Sequence, residues 1–196
     1  RGAVDADGKT GDGAGVHVAL PVRFFDDAIA AGGHKVMPNR LAVGMVFLPR
    51  TDLGAQENCR TLVEAEIIEA GYTIYGWRQV PVDVSVIGDK GQATRPEIEQ
   101  IMIANNRGVD NPQFDLDLYI IRRRIEKKIW AESINEFYIC SLSCRSVIYK
   151  GMFLAEDIDS FYLDLKDPRF VSAVAIYHQR YSTNTFPQWW LAQPFR

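Results

Sequence analysis

Apolar residues recur along the chain with two periods, which predict a mixture of strands and helices. Patterns typical of strands cover residues 14–20, 41–48, 72–80, 98–104, 137–142, 146–153 and 171–177. Apolar positions three to four residues apart predict two long helices, over residues 52–70 and 114–130. Shorter helical segments are predicted from Pro21 to the glycine pair at Gly32, and over residues 154–161.

The order of these elements predicts the fold class. Some predicted strands follow each other directly, without a helix after each one, as residues 137–142 and 146–153 do. That order favours an α+β layered sandwich over a doubly wound parallel sheet. No repeat, low-complexity linker or shift in composition divides the sequence, so we expect a single domain over residues 1–196.

The charge balance narrows the classes of partner. The 196 residues contain 22 Lys and Arg against 25 Asp and Glu, a formal charge of −3. The densest basic run, from Arg122 to Lys128, is interrupted by Glu126 and predicts a solvated helix face. No apolar stretch approaches the ~20 residues of a membrane span. We therefore expect neither a nucleic acid nor a membrane as a partner.

The three cysteines give no sign of a disulfide framework. Cys59, Cys140 and Cys144 are an odd number and lack C-x-x-C spacing, which favours a reducing compartment, here the cytoplasm. Neither a histidine nor a second cysteine pair is close in sequence to Cys140 and Cys144. We expect buried, inert thiols and no metal site.

Several short motifs fail on chemical grounds. Gly8-Lys9-Thr10 resembles the end of a P-loop, but Ala3 stands where the first glycine is required. An EF-hand register would place Lys9 and Val16 at ligand positions, and neither can bind calcium. The histidines, which form no H-x-x-x-H pair, are expected to be structural; they are His17, His34 and His178.

The two ends of the chain carry the remaining chemical signal. The first fifteen residues are rich in glycine and aspartate, which favours tight turns and close backbone approaches. Residues 178–187 combine a guanidinium, hydroxyls and an amide, a set that suits a small ligand with a carboxylate. A polar turn packed by Trp189 and Trp190 explains the same residues equally well, and the sequence leaves both readings open.

Three long segments carry a family resemblance. Residues 180–187 (RYSTNTFP) with 191–196 (LAQPFR), residues 5–15 (DADGKTGDGAG) and residues 76–82 (GWRQVPV) are similar to the class II glutamine amidotransferase domain of the glutamate synthases. The resemblance extends over the whole chain. It implies a four-layer αββα N-terminal-nucleophile sandwich of mostly antiparallel sheets, incomplete at both termini.

The resemblance also implies a function. The family hydrolyses glutamine to glutamate and ammonia, and the ammonia serves the reductive amination of 2-oxoglutarate elsewhere in the parent enzyme. Arg180 resembles the arginine that binds the substrate carboxylate, and Thr183 and Asn184 match neighbouring substrate contacts. Arg1 matches an arginine that orders the nucleophile. Expected partners are glutamine and the remaining domains of the same polypeptide.

The family pattern places other groups outside this sequence. The nucleophilic cysteine is expected upstream of Arg1 and an Asn-Gly oxyanion pair downstream of Arg196, so we expect the isolated fragment to be inactive. The resemblance implies that the parent enzyme contains FMN and a 3Fe-4S cluster. It also implies NADPH as the electron donor, delivered by a small subunit and favoured over ferredoxin. The fragment itself is expected to bind no cofactor. The alternative is a non-catalytic relative that binds an amino acid or a partner protein through the loop at Arg180.

Overall fold

The computed structural model describes residues 8–11, 13–37, 40–179 and 187–194. Its strands are β1 (Ala14–Ala19), β2 (Leu41–Leu48), β3 (Thr73–Gln79), β4 (Glu97–Ala104), β5 (Tyr138–Ser143), β6 (Ser146–Gly151) and β7 (Ala175–His178). Its α-helices are α1 (Val22–Ala31), α2 (Leu53–Glu69), α3 (Asp89–Ala93), α4 (Asn111–Ala131) and α5 (Ile158–Phe161). Short 3-10 helices cover Val84–Val86, Ala155–Asp157, Leu163–Lys166 and Trp189–Leu191.

The strands form two antiparallel sheets. One has the order β3-β4-β2-β5 and the other the order β6-β1-β7. Strands β5 and β6 are consecutive in sequence but belong to different sheets, so the chain passes from one sheet to the other between Ser143 and Ser146. The predicted α+β class with antiparallel sheets is confirmed, and the arrangement is consistent with the N-terminal-nucleophile sandwich.

Strand β2 shows how the layers are stacked. Its odd-numbered residues, including Met45 and Phe47, belong to the core shared with β1 and β6, whereas Val46 and Leu48 pack with α2 and α4. Side chains alternate along a strand, so one strand contributes to both cores. Every residue of β2 is buried, which explains why its sequence is apolar without a break.

Aspartate caps begin both long helices. The side chain of Asp52 accepts a hydrogen bond from the backbone N–H of Ala55, at 2.9 Å, and begins α2 as predicted. Asp110 accepts one from Gln113, also at 2.9 Å, and Pro112 lies in the first turn of α4. Helix α4 therefore begins at Asn111, earlier than its apolar period predicted.

The basic run lies on the surface of α4. Arg122 donates to the Glu126 side chain and to the backbone oxygen of Ile139, each at 2.8 Å, and Lys128 pairs with Glu66 of α2. Arg123 is exposed and also pairs with Glu126. The prediction of a solvated helix face is confirmed for Arg123 and Lys128, whereas Arg122 is partly buried against β5.

The last strand is shorter than predicted. The pattern predicted residues 171–177, but β7 begins at Ala175. The hydroxyl of Ser172 donates to the backbone oxygen of Ala19 at 2.9 Å, and so occupies an acceptor at the end of β1. Backbone hydrogen bonding with β1 begins only at Val174, whose oxygen accepts from the Ala19 N–H.

Candidate functional site

The four residues that the resemblance assigns to the site lie outside the described residues; they are Arg1, Arg180, Thr183 and Asn184. The described chain reaches both sides of residues 180–186, which contain three of them, up to Gln179 and again from Pro187. What the structure describes is the strands and turns that flank these residues in sequence.

Strands β1 and β7 bring the two relevant chain segments together. They pair antiparallel, with Gly15 opposite His178. Strand β1 begins at Ala14, directly after the glycine-rich segment, and β7 ends at His178, shortly before Arg180. The chain entering the predicted substrate loop and the chain leaving the glycine-rich segment therefore share one end of the three-stranded sheet.

The segment that follows the loop returns to the same strand. A Cβ atom on Gly15 would lie 2.5 Å from the backbone oxygen of Gln193, 2.7 Å from the Cβ of Lys150 and 2.9 Å from the Cδ of Pro194. Only glycine allows the returning chain to approach β1 this closely. Both described flanks of the loop thus contact β1.

Lys150 of β6 ties the returning segment to the sheet. Its side chain is fully buried, and its ammonium donates to the backbone oxygen of Trp190 at 2.9 Å. The same Nζ atom lies 4.4 Å from the centroid of the Tyr138 ring, in a cation–π contact. Burial lowers the pKa of Lys150 because the charged form loses its hydration.

Trp189 anchors the segment at a second point. The indole is buried, and its N–H donates to the backbone oxygen of Gly91 at 3.0 Å. A Cβ on Gly151 would lie 2.3 Å from this indole, so a second glycine makes room for the returning chain. The Tyr162 hydroxyl donates to the backbone oxygen of Lys150 at 2.7 Å, a contact that restrains the backbone of β6. The segment that begins at Pro187 is therefore held by hydrogen bonds to the Lys150 side chain and to the backbone of Gly91.

A buried polar network lies on the β3 side of the inter-sheet core. Arg78 donates to both carboxylate oxygens of Asp164, at 2.8 and 2.5 Å, and to the side-chain oxygen of Gln100 at 2.8 Å. Tyr149 donates to Asp164 at 2.9 Å and accepts from Gln100 at 2.8 Å. The network joins β3, β4 and β6 to the 3-10 helix at Asp164.

Sequence reasoning missed this network. From the sequence, Arg78 was identified only as part of the family-like motif at residues 76–82 and was given no role. Nothing near Arg78 in sequence identifies Asp164 as its partner. The cleft beside the network, about 390 Å³ in volume, also has its charges paired, because Arg169 binds Asp167 at 2.6 Å and Asp27 at 3.3 Å. The charges named here bind one another, so we assign them a structural role.

The cysteines occupy different environments. Cys59 and Cys140 are buried as predicted, whereas Cys144 is half-buried at the end of β5, which corrects the expectation for that residue. Burial raises the pKa of Cys59 to about 11 and that of Cys140 to about 12. A thiol with so high a pKa carries almost no thiolate near neutral pH, so neither side chain is fit to act as a nucleophile.

Three further observations concern metal ligands, membrane spans and His34. Within the described ranges, no group of three or more His, Cys, Asp or Glu side chains could hold a metal ion. None of the described helices has the length and apolar character needed to cross a membrane. His34, an expected structural histidine, stands edge-on to Tyr75 with ring centroids 6.1 Å apart.

Comparison with known proteins gives matches over the entire chain. The family model described as glutamine amidotransferases class-II matches residues 1–196. The chain is 68% identical over 196 residues to the glutamate synthase [NADPH] large chain of Azospirillum brasilense. It is 43% identical to the ferredoxin-dependent glutamate synthase 2 of a Synechocystis strain, and 40% identical to the chloroplastic ferredoxin-dependent glutamate synthase of Spinacia oleracea.

The matched relatives are much longer than this sequence. Each alignment covers 100% of the chain, but only 13% of the Azospirillum protein and 12% of the other two. The chain therefore spans about an eighth of the length of these relatives.

Proposed function

Because the chain belongs to the class II glutamine amidotransferases, we propose that it is the glutaminase portion of a glutamate synthase large chain. The observation that carries this proposal is the 68% identity, over the whole chain, to a relative of that name. In the proposal, residues 1–196 form one partial domain. The natural polypeptide hydrolyses glutamine to glutamate and ammonia, and uses the ammonia to aminate 2-oxoglutarate reductively at another site.

Arg180 is the proposed anchor for the substrate. A guanidinium offers two parallel donors to the α-carboxylate of glutamine, and Thr183 and Asn184 supply further hydrogen bonds. The proposal is supported by the position of the flanking strands, since β7 and the segment after the loop both contact β1 at Gly15. Arg1, at the start of the glycine-rich segment, is proposed to order the nucleophile.

The proposed chemistry is acyl transfer through a thioester. A cysteine elsewhere in the natural polypeptide attacks the side-chain amide carbon of glutamine, and its own α-amine accepts the thiol proton and passes it to the departing ammonia. Water then cleaves the thioester to give glutamate. Cys59, Cys140 and Cys144 lie inside the chain, so none of them has an α-amine beside its thiol. We therefore propose that residues 1–196 alone do not hydrolyse glutamine.

The electron donor and redox groups are proposed for the parent enzyme. NADPH, delivered by a small subunit, is favoured over ferredoxin because the relative named for NADPH is more similar than those named for ferredoxin. FMN and a 3Fe-4S cluster would be held by the remaining domains. The described residues do not fit such a cluster, since the cysteines do not converge, and no step of the reaction is assigned to it in this chain.

A cytoplasmic location is also proposed. Its support is the odd number of cysteines without C-x-x-C spacing, which suits a reducing compartment. Two plant relatives are named as chloroplastic proteins, so fractionation of cells that express the natural polypeptide is the appropriate measurement.

The test of the function is glutaminase kinetics of the natural polypeptide carrying Arg180→Ala. We expect kcat/KM for glutamine to fall by about 30- to 100-fold, as for the loss of a charge-assisted bidentate contact. Arg124→Ala, on the exposed face of α4, is the matched control and should leave the kinetics unchanged. Full activity of Arg180→Ala would refute the assigned pocket. Glutamine binding without hydrolysis in the unsubstituted natural polypeptide would favour the non-catalytic alternative.

A further inference from the structure

A second cleft lies at the end of the four-stranded sheet, and its charges are not paired with each other. Its volume is about 210 Å³, and it is lined by Phe47, Arg50, Arg95, Glu136, Trp189 and Trp190, among other residues. Nothing in the proposed glutaminase chemistry uses these side chains. The cleft is thus a separate feature of the molecule, although it shares the Trp189–Leu191 turn with the site described above.

Strand pairing brings the two arginines together. Arg50 follows the end of β2 and Arg95 precedes the start of β4, and in the register between these strands Leu48 lies opposite Glu97. Arg50 donates through Nε to the backbone oxygen of Arg95 at 2.9 Å and through Nη2 to that of Gln92 at 3.4 Å. The position of Arg50 is therefore fixed by backbone carbonyls.

Neither arginine is neutralised by an ion pair in the described part of the chain. Among the described residues, the Arg95 side chain donates only to the backbone oxygen of Pro96, at 3.3 Å, and none of their carboxylates lies within ion-pair distance of either guanidinium. Burial lowers the pKa of Arg95, the charge of Arg50 lowers it further, and Glu97 opposes both effects. Two partly buried cations side by side favour an anion between them.

The apolar walls select the kind of anion. Phe47 and Trp189 are buried at the base of the cleft, with ring centroids 6.0 Å apart, and Trp190 is half-buried beside them. Exposed Glu136 contributes one negative charge to the lining, which disfavours a second negative charge on the ligand. The lining suits a monoanion with a hydrocarbon body.

We propose that this cleft binds a small organic monocarboxylate, held by Arg50 and Arg95 through its carboxylate and by the Phe47–Trp189–Trp190 wall through its hydrocarbon part. A guanidinium pair gives the planar donor geometry that a carboxylate requires. The cleft volume is below the usual range for drug-sized ligands but is enough for a ligand of about five carbons.

The test is ligand-observed NMR titration of the natural polypeptide with three probes. Isovalerate carries a carboxylate on a branched hydrocarbon, isovaleramide has the same shape without charge, and inorganic phosphate is an anion without a hydrocarbon body. We expect saturable isovalerate binding with a dissociation constant on the order of 1 mM, because a ligand with few non-hydrogen atoms gains little binding energy. Isovaleramide and phosphate should each bind at least about tenfold more weakly.

Variants locate the binding. Arg95→Gln should weaken isovalerate binding at least about tenfold. It leaves the Arg50 contacts in place because their acceptors are the backbone oxygens of Arg95 and Gln92. Trp190→Ala should also weaken it, whereas Arg124→Gln should not. Equal affinity in Arg95→Gln overturns the proposal, as does equal binding of isovaleramide or phosphate. Loss of binding in Arg180→Ala, with retention in Arg95→Gln, would place the carboxylate in the proposed glutamine pocket and also overturn it.

Discussion

Gly15 is one residue on which the packing beside the proposed pocket depends. It faces the backbone of Gln193 and the side chain of Lys150 at distances that leave no space for a Cβ. The sequence showed only that glycine is frequent near the start of the chain. Which glycine is needed for contact depends on residues far away in sequence, and such long-range packing leaves no local pattern.

Gly15→Ala should destabilise the protein. We expect the free energy of unfolding to fall by about 1 to 3 kcal/mol, because the new methyl group overpacks a close backbone contact. The measurement is chemical denaturation at constant pH. Gly54→Ala is the control: in α2 its Cβ would meet only Asp52, at 3.4 Å, so alanine should be neutral or stabilising by about 0.5 to 1 kcal/mol. Equal effects of the two substitutions would contradict the close approach.

Buried thiols and phenols predict loss of stability in alkali. Cys140 has a pKa of about 12 in the folded protein against 9.0 ordinarily, and burial also raises the pKa values of Tyr149 and Tyr162 well above 10.0. The folded state therefore keeps protons that the unfolded state releases, so its stability is complete below about pH 9 and falls as the pH rises.

The measurement is urea denaturation at a series of pH values from about 8 to 11. Each such group contributes a slope of up to about 1.4 kcal/mol per pH unit between its two pKa values. Lys150 acts in the opposite direction, because its lowered pKa makes its contribution to stability rise with pH up to the ordinary value of 10.5. Cys140→Ala should flatten the alkaline fall, and an identical slope in the variant would rule out the assigned contribution.

At the scale of the elements, a single capping side chain determines where each long helix begins. The cap at Asp52 and the long helix that follows it were predicted from the sequence, because Thr51-Asp52 stands directly before an apolar period. Asp110 and Pro112 carry the same kind of signal before α4, but the apolar period alone placed that start at Phe114. A cap is therefore a better guide to a helix start than the first apolar residue.

Asp52→Ala should cost about 1 kcal/mol of unfolding free energy, since the N–H of Ala55 loses its acceptor. Asp52→Asn retains an acceptor and should cost much less. Thermal and chemical denaturation of both variants provides the measurement. A loss in Asp52→Asn as large as in Asp52→Ala would show that charge, rather than the hydrogen bond, stabilises this helix start.

At the scale of the whole molecule, one edge of the three-stranded sheet carries apolar side chains toward solvent. In the described part of the chain, β7 has β1 as its only strand neighbour. Ile176 is 60% exposed and Tyr177 is 75% exposed. Edges of this kind favour association with other chains, so we expect residues 1–196 alone to aggregate.

Ile176→Lys should reduce this aggregation without loss of stability. A lysine on an edge strand opposes strand-to-strand association, and an exposed position tolerates the change within about 0.5 kcal/mol. Light scattering during incubation of the 196-residue chain gives the readout. Ile68→Lys is the matched control because Ile68 is 62% exposed, on α2 rather than on an edge strand. Equal protection by both substitutions would point to general surface charge.

The layered architecture was predictable from the sequence, whereas much of the chemistry at its centre was not. Seven strands and two long helices follow from local periodicity, and their order distinguishes α+β from parallel architectures. The Arg78–Asp164 pair and the burial of Lys150 depend on contacts between distant segments. Alternation along β6 gives no indication that a lysine lies inside the protein.

Hydrogen exchange of the natural polypeptide in the presence of glutamine tests the central claim most directly. With the nucleophilic cysteine replaced by serine to prevent turnover, L-glutamine should protect backbone amides in two segments together, residues 9–16 and residues 178–194. D-Glutamine at the same concentration serves as the control and should protect neither. Protection confined to other segments, or to only one of these two, would contradict a pocket formed where β1, β7 and the returning chain meet.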